Sequence, residues 1–494
     1  MSMIFAGYVT QLSHHERGRA NNWTKSPTMM HSGVPDVFRK SAHIRNRLSE
    51  EPAVAERPDV VSLLQTLLRF DTTNRAPGDA EGELSAAAWI HDQLKLAGLE
   101  PVLLARDDAP HRANVVVRVS GTDPSLEGLL VHAHLDVVPA EPEQWSFDPF
   151  GGDVADGYVM GRGAMDMKDM CAMTLAVLLD WAATGQRPQR DVVVAFVADE
   201  ETDGAYGAQW LVDAHPELFA GVAVGIGESG GVVEEHPGVD GEPVRLARIA
   251  AGERGTLHLR LTATGDSGHA SRPVEGSAVL ALVDALHRIG HHDWPLHVSP
   301  LVRAQLEQTA AALGHKADLT TDEGVRRTIT ELGDAADVAM FTVRASTTPT
   351  VVRAGYKVNV IPGLAEAEID VRCPPGFEDE LLAALPQLVG DCVTFEHSVR
   401  EPSVQAPIDG PWFDAMVESI QHVDPEAVVV PGCLGGGTDA KAFSSLGIAC
   451  YGFAPATADP EGRRRLGIHG VDERVPISSL EGGLRILAHF LATV

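Results

Sequence analysis

The chain has 494 residues, 44% of them hydrophobic and 22% charged, with a formal net charge of -30. That length exceeds one compact core, so two domains are expected, and the composition is that of a soluble globular protein. The charge excludes nucleic acid and anionic membrane as partners, because both would repel it.

The N-terminal 1–52 mixes His, Asn, Ser, Arg and Lys without periodicity. It reads as a disordered extension, or as a start site placed too far upstream. Met1–Tyr8 is weakly apolar but lacks a basic flank and is too short for a signal peptide. No run approaches the ~20 apolar residues of a membrane span. The five cysteines, Cys171, Cys373, Cys392, Cys433 and Cys450, form no CxxC pair. They read as buried thiols in a reducing compartment, and the cytoplasm is the expected location.

Residues 58–70 put Val60, Val61, Leu64, Leu67 and Leu68 on one helical stripe, and 83–97 form a second helix ending at Gly98. Strands are expected at 113–119 and 128–138, a helix at 167–184, a strand at 191–198, a helix at 204–214 and a strand at 222–227. Short apolar strands alternating with helices indicate an α/β sheet covered on both faces. Near 250 the pattern changes, because 256–264 alternates apolar and polar as a strand with one wet face does. A helix at 276–289, a weakly patterned stretch at 292–345, strands at 350–358 and 364–372, a helix at 377–389 and a strand at 392–399 follow. They compose a separate α+β unit. The first pattern then resumes, with a helix at 411–423, strands at 427–431 and 447–453 and a closing helix at 477–493. The second unit, 253–399, is therefore expected as an insertion between 53–252 and 400–494.

Chemistry concentrates at the strand ends. In 128–139 an apolar run gives way to His132, His134 and Asp136 before Pro139. Residues two apart share a face of a strand, so His134 and Asp136 lie together at its C-terminal end, the edge where open α/β sheets bind ligands. Taken alone, either His132 or His134, or both, could meet a metal. Asp166 sits at the start of a helix, Asp199-Glu200-Glu201 ends the strand at 191–198, Glu228 ends the strand at 222–227, and His469 precedes the last helix. Singly, each reads as a cap, a turn or a solvated group. Together they can converge on one cleft. Two imidazoles with several carboxylates suit Zn2+, Co2+ or Mn2+, and five ligands with one shared carboxylate suffice for two ions ~3.5–4 Å apart.

These stretches, His134-Leu-Asp136-Val-Val-Pro, Gly161-Arg-Gly-Ala-Met-Asp166-Met-Lys, Asp199-Glu200-Glu201, Gly227-Glu228 and His469, resemble in order and spacing the motifs of the M20 metallopeptidases. That family includes acetylornithine deacetylase, succinyl-diaminopimelate desuccinylase, aminoacylase and glutamate carboxypeptidase, and the resemblance covers about residues 55–494. It implies a zinc-peptidase-like catalytic domain, with a mixed sheet flanked by helices, and an inserted α+β lid or dimerisation domain. It implies two zinc ions, with Co2+ or Mn2+ as substitutes. Asp166 would bridge them, His134 and Glu228 would complete one ligand set, and Glu201 and His469 the other. Asp136 would accept the second N–H of His134, and Glu200 would be the general base on the bridging water.

In the inserted unit, Ser267-Gly-His269-Ala-Ser-Arg-Pro resembles the element whose histidine reaches the partner subunit's site and stabilises the oxyanion. Asn359 and Arg372 resemble positions that hold the substrate carboxylate. Gly436, Gly437 and Thr438 resemble a glycine-rich substrate loop. Two departures stand out. The stretch at 292–345 is longer than in compact members, as in the carboxypeptidase-like and N-acyl-amino-acid hydrolase members, and the glycine loop lacks the serine of the desuccinylases.

The expected function is dinuclear zinc hydrolysis of the amide bond of an N-acyl amino acid or short peptide with a free carboxylate. A dipeptidase or carboxypeptidase of the same chemistry is the alternative, and homodimerisation through the lid is an accompanying expectation. Retention of Glu200 with all five ligands argues against a non-catalytic relative. A two-metal phosphoesterase is disfavoured because only Arg372 and His269 are expected as cationic groups near the cleft.

Overall fold

Strand Gly128–His134 is buried along its whole length because it runs in the middle of a ten-stranded sheet. The structure, a computed structural model, describes residues 59–494 apart from 77, 273 and 463–466, so the reading of 1–52 lies outside the described residues. Gly128–His134 lies parallel to Val192–Val197 on one side and Val222–Gly227 on the other, and Ala449–Gly452 continues the parallel set. Antiparallel strands extend the sheet in both directions, Ala113–Val119 and Val102–Ala105 beyond Val192–Val197, and Pro243–Glu253 and Val233–Pro237 beyond Ala449–Gly452. The sheet is therefore mixed.

Alternation along each strand divides its side chains between two cores. Val192, Val194 and Phe196 pack with helices Val60–Leu68, Lys168–Thr184 and Ile477–Thr493, while Val193, Ala195 and Val197 pack with helices Ala208–Ala214 and Ala440–Ser444. Burial on both faces is why these strands read as unbroken apolar runs.

A second, four-stranded antiparallel sheet has the order Ser346–Ala354, Leu364–Cys373, Gly255–Thr264, Val393–Glu401. Leu257, Leu259, Leu261 and Ala263 face a separate core with helices Ala278–Gly290 and Glu378–Val389. The strand expected at 350–358 lies earlier, because Gly355, at φ 66°, turns the chain.

The weakly patterned stretch supplies two helices. Ser299 caps Pro300–Ala312 by accepting the Val302 N–H at 3.3 Å, and Thr321 caps Asp322–Leu332 by accepting the Gly324 N–H at 3.0 Å. Buried Gln305 and Thr309 break the apolar stripe of the first helix, which hid it from periodicity. Leu301, Val302, Leu306, Val325 and Ile329 join the core of the large sheet, so this part of 253–399 packs away from the four-stranded sheet's core. The hairpin of Val233–Pro237 with Pro243–Glu253 was also hidden, since Glu234, Glu235 and Arg245 interrupt any regular alternation. No described helix is long and apolar enough to cross a membrane.

Candidate metal centre and cleft

The parallel strands end at one edge. His134 is the last residue of its strand and stands opposite Val197, so Asp199, Glu200 and Glu201 leave the neighbouring strand just beyond it. Glu228 follows Gly227 at the end of the strand on the other side. Asp166 lies in the turn before helix Lys168–Thr184, and its peptide bond to Met167 is cis. The chain after His469 pairs as Arg474–Pro476 with Tyr158–Met160, which sets the His469 loop beside the Asp166 turn.

His134 Nε2 lies 3.1 Å from Asp166 Oδ1 and 3.1 Å from Glu228 Oε2. His469 Nε2 lies 3.1 Å from Asp166 Oδ2 and 3.2 Å from Glu201 Oε2. Two triads result, His134–Asp166–Glu228 and Asp166–Glu201–His469, each with its donor atoms within 4.8 Å of one another. Asp166 presents one oxygen to each. Glu200 belongs to neither triad; its Oε2 is 4.0 Å from His134 Nε2.

The electrostatics suit divalent cations. Burial raises the Glu228 carboxyl, and burial together with Glu228 holds Glu200 well above its ordinary value. Burial opposes charge on His134, but Asp166 and Glu228 outweigh it and hold the ring well above its usual value. Glu201 Oε1 is buried with no hydrogen-bond partner. Crowded, partly orphaned carboxylates around two imidazoles are a set that cations complete.

His134 Nδ1 lies 3.0 Å from the backbone carbonyl of Asp136, which can only accept, so Nε2 is left to face the carboxylates. The Asp136 carboxylate stands 3.7 Å away and does other work than expected. It accepts the backbone N–H groups of Glu200 at 3.1 Å and Glu201 at 3.0 Å, and Asn74 Nδ2 donates to it at 2.9 Å. The loop crossing above the strand supplies nearer donors than the imidazole does. His132 is buried against Phe443, with ring centroids 5.0 Å apart; burial, then His134, push its pKa down to about 3, so it is a neutral packing residue.

Several supporting residues gave no local signal. Buried Glu473 accepts the N–H groups of Gly163 at 3.0 Å, Met165 at 2.8 Å and Asp166 at 3.2 Å, and pairs with Arg162 at 2.6 Å. Arg112 bridges Glu83 and Asp199 in a buried ion triad. Glu473 stands four residues after His469, a proximity visible in the sequence; the other pairings are long-range.

A cleft of ≈ 1410 Å³ runs from Glu200, Glu201 and His469 to the wet face of the four-stranded sheet. Gly436, Gly437 and Thr438 line it, and a Cβ on Gly437 would collide with Lys441 Nζ. Thr438 is held by Glu253, whose Oε2 accepts its N–H at 3.0 Å and Oε1 its hydroxyl at 2.5 Å. Arg254 donates to the Gly435 carbonyl through Nε at 2.9 Å and Nη2 at 2.8 Å. Arg372 lines the cleft, but its fork is taken by Asp370, at 2.8 Å and 2.9 Å, and Nη1 donates to Thr256 at 3.0 Å. Lys441 Nζ donates to the same hydroxyl at 2.6 Å and to Glu401 at 3.2 Å. The wall is thus more cationic than expected, because Arg254 and Lys441 reach it from distant segments. His269 and Asn359 do not line this cleft. They form one exposed corner, where the Ala270 N–H donates to the Asn359 carbonyl at 3.1 Å.

The model of Peptidase family M20/M25/M40 matches residues 130–493. The chain belongs to this family. It is similar to N-fatty-acyl-amino acid synthase/hydrolase PM20D1 of Mus musculus, 28% identical over 386 residues covering 76% of this chain and 75% of the relative. It is also similar to Aminoacylase-1 of Sus scrofa, 27% identical over 449 residues covering 89% and 96%. Among solved structures, the M20 family metallo-carboxypeptidase Sso-CP2 from Sulfolobus solfataricus matches with a TM-score of 0.65 at 18% identity, covering 88% of this chain and 99% of that one. Human carnosine dipeptidase 1 matches at 0.59 and 18%, covering 88% and 96%. These likenesses show the same fold. As a member of this family, the protein is a metal-dependent amide-bond hydrolase.

Proposed function

We propose that the protein hydrolyses the amide bond of an N-acyl amino acid or short peptide bearing a free carboxylate, with two zinc ions as its native metals. One observation carries this reading: Asp166 turns one oxygen to each of two donor triads, while Glu200 stays outside both. His134, Asp166 and Glu228 would hold one ion, and Asp166, Glu201 and His469 the other. When bound, the ions supply Lewis acidity to the scissile carbonyl and acidify water at the site.

The chain's own residues do the rest. Glu200, 14% exposed, takes a proton from the attacking water and returns it to the leaving nitrogen. The new C–O bond and the broken C–N bond leave a carboxylic acid and an amine. Asp136 fixes the backbone of Glu200 and Glu201, so base and ligand keep their separate directions. Arg254 donates only to carbonyl and hydroxyl oxygens and pairs with no described carboxylate, so it favours a substrate carboxylate at the far wall, whereas Arg372 and Lys441 are already held by Asp370 and Glu401. The His269–Asn359 corner suits a homodimer in which it serves the partner's cleft, with the four-stranded sheet and its helices as the lid. Five unpaired cysteines, four of them buried, favour the cytoplasm.

The test is metal analysis followed by assay of the zinc form against N-acetyl, N-succinyl and N-long-chain-acyl amino acids and dipeptides. Two ions per chain and metal-dependent amide cleavage are expected. Inertness toward every amide would overturn the proposal.

A further inference from the structure

The relatives include enzymes named for fatty-acyl substrates and others named for short ones, and the walls of this cleft distinguish the two. Opposite the metal centre the cleft is faced by Thr256, His258, Ser346, Thr348, Asp370 and Arg372, the wet side of the four-stranded sheet. Its apolar lining among the described residues is limited to Ala76, Val399, Pro402, Val404 and Ala442; no Leu, Ile, Met, Phe, Tyr or Trp lines it. A long alkyl chain gains by burial only against apolar walls. Here it would lie against the Arg372–Asp370 and Lys441–Glu401 ion pairs and strip them of water without replacing their partners. Two large apolar residues stand nearby without lining the cleft. Phe341 has its Cβ 3.9 Å from where a side chain at Gly435 would begin, and Ile468 adjoins His469, yet they are 62% and 46% exposed and neither lines the cleft.

One group in the lining is left with unused hydrogen-bonding capacity. Asp439, 8% exposed, follows Thr438 in the glycine loop, and its Oδ1 lies 3.7 Å from where a side chain at Gly204 would begin, against the loop that carries Glu200 and Glu201. Its carboxyl has no hydrogen bond or ion pair with any described residue, and its oxygens are not among the atoms shut off from solvent, so they open into the cleft they line. A substrate that brings an N–H donor or an ammonium into the cleft would satisfy it.

We infer that the acyl group accepted by this cleft is short and hydrophilic, an aminoacyl group whose amino end is received by Asp439, and not a long alkyl chain. This deepens the amide-hydrolase reading and rests on it.

The experiment compares kcat/KM of the zinc-loaded enzyme on three substrates sharing one C-terminal amino acid: a dipeptide, the N-acetyl and the N-dodecanoyl derivative. The dipeptide is expected to exceed the N-dodecanoyl substrate at least 100-fold. Equal or better hydrolysis of the N-dodecanoyl substrate overturns the inference while leaving the amide-hydrolase reading intact; no hydrolysis of any of the three overturns both. In Asp439→Asn, the ratio of dipeptide to N-acetyl kcat/KM is expected to fall at least tenfold, mainly through KM. A general folding defect would lower both substrates together, so an unchanged ratio removes Asp439 from amine recognition.

Discussion

The Asp136 carboxylate accepts the backbone N–H of Glu201 at 3.0 Å, so the strand that ends in His134 also sets the direction in which Glu201 leaves the strand beside it. One buried carboxylate thereby ties two donors of different triads. Replacing it with Asn turns an amide N–H₂ toward N–H donors of the 200–201 backbone or toward Asn74. Asp136→Asn is expected to weaken metal binding roughly 10–100-fold, the range seen when the support of a ligand is removed. Competition with a chromophoric chelator reads this directly, and wild-type affinity would contradict it.

Glu200 adjoins Glu201 without belonging to either triad. Glu200→Gln keeps its volume and removes its basicity. A fall in kcat of roughly 100- to 10,000-fold is expected, the ordinary worth of a positioned general base, with two ions per chain retained. Loss of one ion in the variant would exchange the roles given to Glu200 and Glu201.

Glu473 is fully buried and serves the Asp166 turn through three backbone N–H groups and the Arg162 ion pair. Glu473→Ala leaves Arg162 buried without its carboxylate partner. Such a break costs about 3–5 kcal/mol, and urea unfolding measures it. A loss below 1 kcal/mol would mean that water replaces the carboxylate.

Glu253 is held at a pKa of about 7, above its ordinary 4.5, chiefly because burial disfavours its charge. Between those values the folded state holds a proton that the unfolded chain has released, so this residue's contribution to stability falls as pH rises. Glu253→Gln has no such proton to lose. The stability of the variant relative to wild type should therefore improve by on the order of 3 kcal/mol between pH 4 and pH 8. Parallel stability–pH curves would show that Glu253 titrates normally.

Chelation would strip the proposed cations from a cluster in which Asp166, Glu200, Glu201 and Glu228 crowd two imidazoles. Turnover should vanish, and the thermal midpoint should fall and return when zinc is restored. Each ion contributes roughly 4 kcal/mol when present at a thousandfold its Kd. A midpoint indifferent to chelator would argue against ions at these triads.

Much of this site is legible in the chain because its signals are local. An apolar run buried on both faces that breaks into His134 and Asp136 marks the end of a parallel strand, and the acids at 199–201 and Glu228 repeat that break. Arg372 carries a local signal too: Asp370, two residues earlier on the same strand face, is within reach of its fork.

Other features had no such signal. Helix Pro300–Ala312 was obscured by Gln305, which is tolerated inside because the Cys433 N–H, 128 residues away, donates to it. The grip of Glu253 and Arg254 on the glycine loop spans 185 and 181 residues and depends on how two sheets meet.

By itself the sequence determined which residues stand at the strand ends and what chemistry they can support, because side-chain alternation and apolar runs are properties of neighbours along the chain. Only the tertiary structure decided which carboxylate oxygen faces which imidazole, that a backbone carbonyl orients His134, and that the cleft opposite is polar. Those depend on the register between strands and on the approach of segments hundreds of residues apart, and no local pattern encodes either.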